Sequence, residues 1–323
     1  MPPEGASIET LRARAALVAR TREFFAAREV LEVETPLIGH GLVVEAHLEP
    51  IPCAVRGAGA DSLPRHLLTS PEGPMKRLLA RGSGPIYQLA PAFRDGERGA
   101  RHTPEFTILE WYRPGFDHHA LMAEVEALVR ALMPERTPEA FERRTYRDLF
   151  RDAAGIDPFD TSVAAIAAAC ARLGVPLPPD FAASTLDDAL DLLLVGALEP
   201  TLGRERPLFL VDYPASQAAL ARVREEPDGT RVGERFELYI DGVELANGYH
   251  ELGDPAEQRR RLEEANAARV AAGRPPLPIA ESLVAALEAG LPPCAGVALG
   301  FDRLVMVATG HDTIDAVRAF PPE

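Results

Sequence analysis

Apolar and polar positions follow two rhythms along this chain. From Ser7 to about Arg28, Ile8, Leu11, Ala15, Val18 and Phe25 recur at helical spacing behind a potential N-cap, which predicts a helix. Glu29 to Leu37 alternates (Val30 and Glu32 against Leu31 and Val33) and predicts a strand ended by Pro36. Met1 to Ala6 reads as an irregular start, and the Gly-, Ala- and Pro-rich stretch 53–64 as a loop. A short strand is expected over Arg65–Thr69 and a helix over about 71–80. Ile86–Arg94 and Glu105–Arg113 are β-type runs on either side of a polar tip, 95–104, so they form a hairpin. Helices follow over 118–133 and 161–173. The Ala- and Leu-rich stretch from about 137 to 205 reads as a mostly helical insertion into the sheet. A strand over 208–213, a turn and short helix over 214–222, and a second hairpin come next, Arg235–Ile240 and Val243–His250 around Asp241-Gly242. A charged helix (255–272), a proline-rich link (275–278), a helix (280–289) and a strand, Gly296–Gly300, running into a helix from about Asp302 complete the pattern. Antiparallel hairpins outnumber βαβ units, which disfavours a Rossmann sheet and predicts an α+β fold with an antiparallel sheet flanked by helices.

Composition narrows the function. The 323 residues carry 34 basic and 49 acidic side chains, a net charge of −15, which argues against a broad grip on nucleic acid. No apolar run approaches the ~20 residues of a membrane span, and no signal-peptide pattern opens the chain, so no membrane association and a cytoplasmic location are expected. Cys53, Cys170 and Cys294 lie far apart without a CxxC, which excludes a disulfide framework and a cysteine zinc site. Lys76 is the single lysine, so Schiff-base or lysyl-adenylate chemistry on the protein has only one place to go.

Three constellations carry candidate chemistry. Arg94 ends a strand, where a planar cation can grip a phosphate with two parallel hydrogen bonds, and Arg98, Arg101 and His102 at the tip add positive potential; the same residues also suit a solvated charged loop. Glu244 and Glu251 bracket Ala246-Asn247-Gly248, and two carboxylates suit Mg²⁺. Their separation of seven is odd, so strict alternation sends them to opposite faces unless a bulge at Gly248, or the strand's end there, restores a shared one. Gly296, Ala298 and Gly300 leave one strand face bare enough for a flat ring such as adenine, with Arg303 in the next helical turn; tight packing is the alternative. Ser70-Pro71-Glu72 reads as a helix start whose carboxylate can also meet an amine, and His118-His119 as solvent-facing. Neither a metal triad nor a Ser-His-Asp relay is indicated.

In this order, the helix and strand ending at Pro36, the Arg94 hairpin and Gly300-Phe301-Asp302-Arg303 resemble the three signature motifs of class II aminoacyl-tRNA synthetases. Within that class VLEVETP, TSPE, MKRLL, PEFTILEWYRP, YPASQAAL, GERFELY, ELANGYHEL and AGVALGFDRLVM resemble the lysyl branch. Nearly end to end they resemble its stand-alone paralogues, the elongation factor P–(R)-β-lysine ligases. The resemblance implies a single class II catalytic domain over 1–323, no anticodon-binding OB domain, and a homodimer built on residues 8–37. It implies ATP and Mg²⁺, lysine or (R)-β-lysine as substrate, elongation factor P rather than tRNA as acceptor, and an aminoacyl adenylate between the two steps. Arg94, Glu244 and Arg303 then take the catalytic roles. Ser70, Pro71, Glu72, Tyr112, Asn247, Glu251 and Ala298 bind the amino acid; Arg94, Asp95, Gly96, Glu97, Thr103, Glu244, Leu245, Gly300 and Arg303 bind the nucleotide; Glu244 and Glu251 lie near the metal. Ala298 stands where lysyl-tRNA synthetases carry glycine. The usual Arg-x-Glu reads Arg94-Asp95-Gly96-Glu97, with Glu97 the candidate replacement, and Thr103 stands where asparagine is common. A truncated enzyme charging RNA and an inactive binding paralogue are the competing readings.

Overall fold

The computed structural model describes residues 5–55, 65–137 and 139–321; the first four residues and most of the 53–64 loop lie outside them. Ser7 accepts the Thr10 amide at 3.1 Å and starts α1 (Ile8–Ala26). The strand expected over 29–37 shrinks to β1 (Leu31–Glu32), because Glu29 turns the chain at φ 55° and Pro36 has no amide to give a ladder. Short β2 (Ile38–Gly39), β3 (Pro52–Cys53) and β4 (Arg65–Leu67) follow, then α2 (Glu72–Ala80), β5 (Ile86–Phe93) and β6 (Glu105–Pro114). Asp117 caps α3 (His118–Leu132) by accepting the Ala120 amide. The 137–205 stretch supplies β7 (Glu142–Thr145) as well as α4 (Tyr146–Ala154), α5 (Val163–Leu173) and α6 (Leu186–Leu193), capped by Thr145, Ser162 and Thr185. Then come β8 (Leu208–Pro214), β9 (Val223–Glu225), β10 (Arg231–Ile240), β11 (Val243–His250), α7 (Pro255–Ala271), α8 (Glu281–Gly290), β12 (Cys294–Gly300) and α9 (Phe301–Thr309). The chain is α+β, and its strand pairs are mostly antiparallel.

The elements form two compact units, Met1–Phe116 with Leu252–Glu323, and Asp117–Glu251. In the first, the strand order is β1-β5-β6-β12, parallel only at the β1–β5 edge, beside a small β2-β4-β3 sheet. Phe25 of α1 stacks on Tyr87 at 4.4 Å and meets Trp111 edge-on at 5.4 Å, so α1 lies on β5 and β6. Its buried face is Thr10, Leu17, Thr21, Phe24 and Phe25, which shares only Phe25 with the stripe read from the sequence, and Ile8 is 64% exposed. The reason is Arg14, which sits on the inner side and reaches Asp302. That carboxylate is 1% exposed and accepts from Arg14 Nη1 (2.5 Å), the Thr107 amide (2.7 Å) and Arg318 Nη1 (3.4 Å). It joins α1, β6 and the chain after α9 to the first turn of α9.

In the second unit the order is β11-β10-β8-β7, with β9 also on β10. Alternate residues of β8 (Leu208, Leu210) and Tyr213 and Tyr239 pack with Tyr146, Leu149, Phe150, Ile166, Leu190 and Leu193, so the helices of the 137–205 stretch cover one sheet face. On that face Glu237 is 6% exposed and takes hydrogen bonds from Arg235, Tyr213 and Tyr239, each 2.5 Å. Its charge repels the neighbouring Asp191, which Gln217 touches at 3.0 Å. Burial first, opposed by Arg235 and aided by Asp187, Glu237 and Asp188, pushes the Asp191 carboxyl up to about 6.

Two outcomes follow from these carboxylates. Asp302→Ala leaves the Thr107 amide without its acceptor and Arg14 without its carboxylate, with only Thr107 Oγ1 left to Arg14, and should cost about 2–4 kcal/mol in urea unfolding. Asp191 behaves oppositely. The unfolded chain releases its proton near pH 3.8 and the folded chain near 6, so ionisation costs stability increasingly between those values and fully above them. Asp191→Asn should therefore stabilise the protein by about 1–3 kcal/mol at pH 7.5, a gain that fades as the pH falls toward 4.

Candidate active site

Arg94 leaves the end of β5, where its amide donates to Pro104 O at 2.9 Å and closes the hairpin tip. Its guanidinium lies 4.9 Å over the Phe106 ring, with Nε buried and unpartnered. Glu97 approaches it to 3.6 Å, while Asp95 turns back to accept the Gly96 amide at 2.9 Å. Gly96, at φ 74°, supplies the left-handed step that takes up the extra residue, so the carboxylate beside Arg94 is that of Glu97. Arg303, in the first turn of α9, donates from Nη2 to His102 Nε2 (2.7 Å) and from Nε to Arg101 O (3.3 Å). Burial, then the positive fields of Arg303, Arg94 and Arg101, hold the His102 imidazole below its usual range against Glu97. It is therefore a neutral acceptor that ties the tip to α9. Thr103 is 2% exposed and its hydroxyl has no partner. The tip thus gathers Arg94, Glu97, His102 and Arg303, with Asp302 beneath Arg303.

The register of β6 with β12 sets the next surface. Tyr112 pairs with Gly296, Glu110 with Ala298 and Ile108 with Gly300, so the small-residue stripe shares a face with Tyr112 and Glu110. Tyr112 donates to Glu110 Oε1 at 2.6 Å. Glu110, 2% exposed, is a site candidate missed in the sequence; an acidic residue inside the apolar run of β6, two before Tyr112, was its signal. The nearest atoms to a methyl at Gly300 would be those of the Arg303 side chain, at an ordinary 3.6–3.8 Å, so no close packing there demands glycine. Tyr112 also packs with Met75, Leu79, Ile86 and Cys294, which brings α2 alongside. At the start of α2, Ser70 Oγ accepts the Glu72 amide at 3.2 Å, and Lys76, 1% exposed, reaches Glu72 Oε1 at 2.5 Å. The one lysine is thus buried against a carboxylate rather than presented to a substrate.

In the second unit β11 resolves the parity of Glu244 and Glu251. The pairing runs Tyr239↔Glu244 but Leu238↔Ala246, so Leu245 is an extra residue, its side chain 2% exposed. The bulge lies at Leu245, not at Gly248. It turns Glu244, Asn247 and Glu251 to one face, the face of Glu237. Gly248 has a different duty on the opposite face: a Cβ there would stand 2.3 Å from Phe236 Cζ. Asn247 Oδ1 is buried without a partner, and Glu251 is 4% exposed. Two carboxylates and an orphaned amide oxygen on one face are hard donors that fit Mg²⁺. His118 departs from its expected solvent-facing place. It is 3% exposed, and burial, then His119, Arg224 and His250, push its imidazole down to about 3, which keeps it neutral. The dipeptide gave no sign of this, because the strands of the second unit that bury it are remote in sequence.

A family model for tRNA synthetases class II (D, K and N) matches residues 4–323, which sets the class. The elongation factor P–(R)-β-lysine ligase of Vibrio cholerae is 50% identical over 319 residues, covering 98% of this chain and 96% of its own length. The proteins of that name from Vibrio vulnificus (49% over 319 residues, 98% and 96%) and Proteus mirabilis (48% over 317 residues, 98% and 96%) are similarly close. The chain belongs to the family these ligases form within the class II synthetases. Among the described residues, no helix is long and apolar enough to cross a membrane.

Gly248→Ala should force the Phe236 ring aside and cost about 1–3 kcal/mol in chemical unfolding, with Phe236→Leu restoring part of it.

Proposed function

We propose that this protein is an ATP-dependent ligase that activates (R)-β-lysine, or lysine, as an aminoacyl adenylate and transfers it to the ε-amine of a lysine on elongation factor P. The observation that carries this reading is the pair of guanidiniums, Arg94 and Arg303, set around one neutral imidazole in a chain half identical to ligases of that name. In the first step the substrate carboxylate attacks the α-phosphorus of ATP, the bond to the β-phosphate breaks, and pyrophosphate leaves. Arg94 grips the α-phosphate and the attacking carboxylate, and Arg303 meets the γ-phosphate end, so catalysis is positioning and charge neutralisation. In the second, the acceptor amine attacks the adenylate carbonyl, an amide forms, AMP leaves and a proton is released. Lys76, paired to Glu72, is not needed as a nucleophile.

Glu244 and Glu251, with Asn247 Oδ1 beside them, would hold Mg²⁺, which neutralises polyphosphate charge. Glu97 in place of the usual neighbour, Asp95, Gly96, Thr103, Leu245 and the open stripe at Gly300 serve the nucleotide. Ser70, Pro71, Glu72, Tyr112, Glu251 and Ala298 serve the amino acid. Lys76 takes Glu72 Oε1, so a substrate ammonium is left Oε2. The methyl of Ala298, on the face of Tyr112 and Glu110, narrows that pocket. One family model runs through both units, which supports a single catalytic domain with 137–205 as its insertion. Exposed Ile8, Leu31 and Ile38 on the 8–38 segment support a homodimer, and the chemistry fits the cytoplasm.

The reading is tested by ATP–pyrophosphate exchange with (R)-β-lysine and α-lysine, followed by transfer to elongation factor P or tRNA. Exchange with (R)-β-lysine and transfer to the protein are expected; exchange with neither amino acid, or transfer to tRNA alone, would refute it. Arg94→Ala should lower kcat/KM for exchange by about 10²–10³-fold. Ala298→Gly should shift the preference toward α-lysine by about 10–100-fold, the worth of a methyl in a closed pocket.

A further inference from the structure

We propose that His118, Glu234 and His250 form a binding site for a divalent transition metal, Zn²⁺ by the chemistry of the donors. One ligand atom from each lies within 4.8 Å of the others. His118 opens α3, directly after its cap Asp117, and is 3% exposed, yet neither of its ring nitrogens has a hydrogen-bond partner. A buried imidazole left with both nitrogens unsatisfied asks for an acceptor of its lone pair. Its ring lies beside that of His250, centroids 6.3 Å apart. Two imidazole nitrogens and one carboxylate oxygen are the donors of three-ligand zinc sites that keep a fourth position for water, and they suit Mg²⁺ and Ca²⁺ poorly.

The site is separate from the one proposed for the nucleotide's Mg²⁺. His250 ends β11 and Glu251 follows it in extended backbone, so alternation sends them to opposite faces; Glu251 shares its face with Glu244 and Asn247. Without metal, His250 Nδ1 lies 2.7 Å from Glu234 Oε2, which accepts no hydrogen bond, and Arg222 covers the pair, Nη1 3.3 Å from His250 Nε2 and Nε 3.8 Å from Glu234 Oε2. Binding at His250 Nδ1 takes the other neutral tautomer, the ring proton moving to Nε2, and opens the 2.7 Å contact to about 3.3 Å, the spacing of two ligands at ~2.0 Å in a tetrahedron. Arg222, half exposed, is free to swing outward as the charge arrives. Arg224, the other cation near His118, is held by Asp212 at 2.8 Å and Glu226 at 2.6 Å. The metal would pin the start of α3 to the β10–β11 hairpin.

The test is titration of the chelator-stripped full chain with Zn²⁺ against a chromophoric indicator at pH 7.5. Co²⁺ then serves as a spectroscopic probe of nitrogen ligation. One equivalent per chain is expected, bound at least tenfold more weakly by His118→Ala, His250→Asn and Glu234→Gln, and unchanged in His119→Ala and Glu251→Gln. Circular dichroism identifies any variant that fails to fold, and the remaining two ligand variants then decide. No binding by the wild-type chain, binding untouched by the folded ligand variants, or loss with Glu251→Gln alone would overturn the proposal.

Discussion

A strand sends successive side chains to opposite faces, so two carboxylates seven residues apart meet on one face only if an odd residue is absorbed between them. Leu245 is that residue. Its displacement from the β10–β11 ladder aligns Glu244, Asn247 and Glu251, and every role proposed for the hairpin depends on this one step of register. The same step leaves Gly248 and His250 on the other face, where the Phe236 ring covers the glycine and His250 meets Glu234. One bulge thus divides the strand between two chemistries.

The first unit solves a different problem, that of holding arginines close together before any anion arrives. Arg303 spends its donors on His102 and the Arg101 carbonyl, and Arg94 lies on the Phe106 ring beside Glu97. A neutral imidazole is what makes the arrangement tolerable, since a protonated His102 would add a further cation among them. Asp302, held from three directions, fixes the turn of α9 from which Arg303 projects. Preorganisation of this kind is the main resource of an enzyme whose reaction needs charge placed correctly and no covalent help.

Much of this was legible in the sequence. Hairpins with clear alternation, capped helices and the Asp241-Gly242 turn are local patterns, and the structure follows them to within a few residues. Motif order pointed to the family. The buried face of α1 was not legible, because Thr10 and the half-buried Arg14 turn inward by finding partners hundreds of positions away. His118 was misplaced because the strands that bury it are remote in sequence, and Glu110 was missed because its burial follows from the pairing of β6 with β12.

By itself, then, the sequence determined the elements, their α+β class and the chemically distinctive residues, since these rest on periodicity, caps and turns within a few residues of one another. Only the tertiary structure decided which residue bulges, which carboxylate accompanies Arg94, and which histidine is buried. Those outcomes depend on strand register and on burial by distant segments, and neither quantity is written in any local stretch of chain.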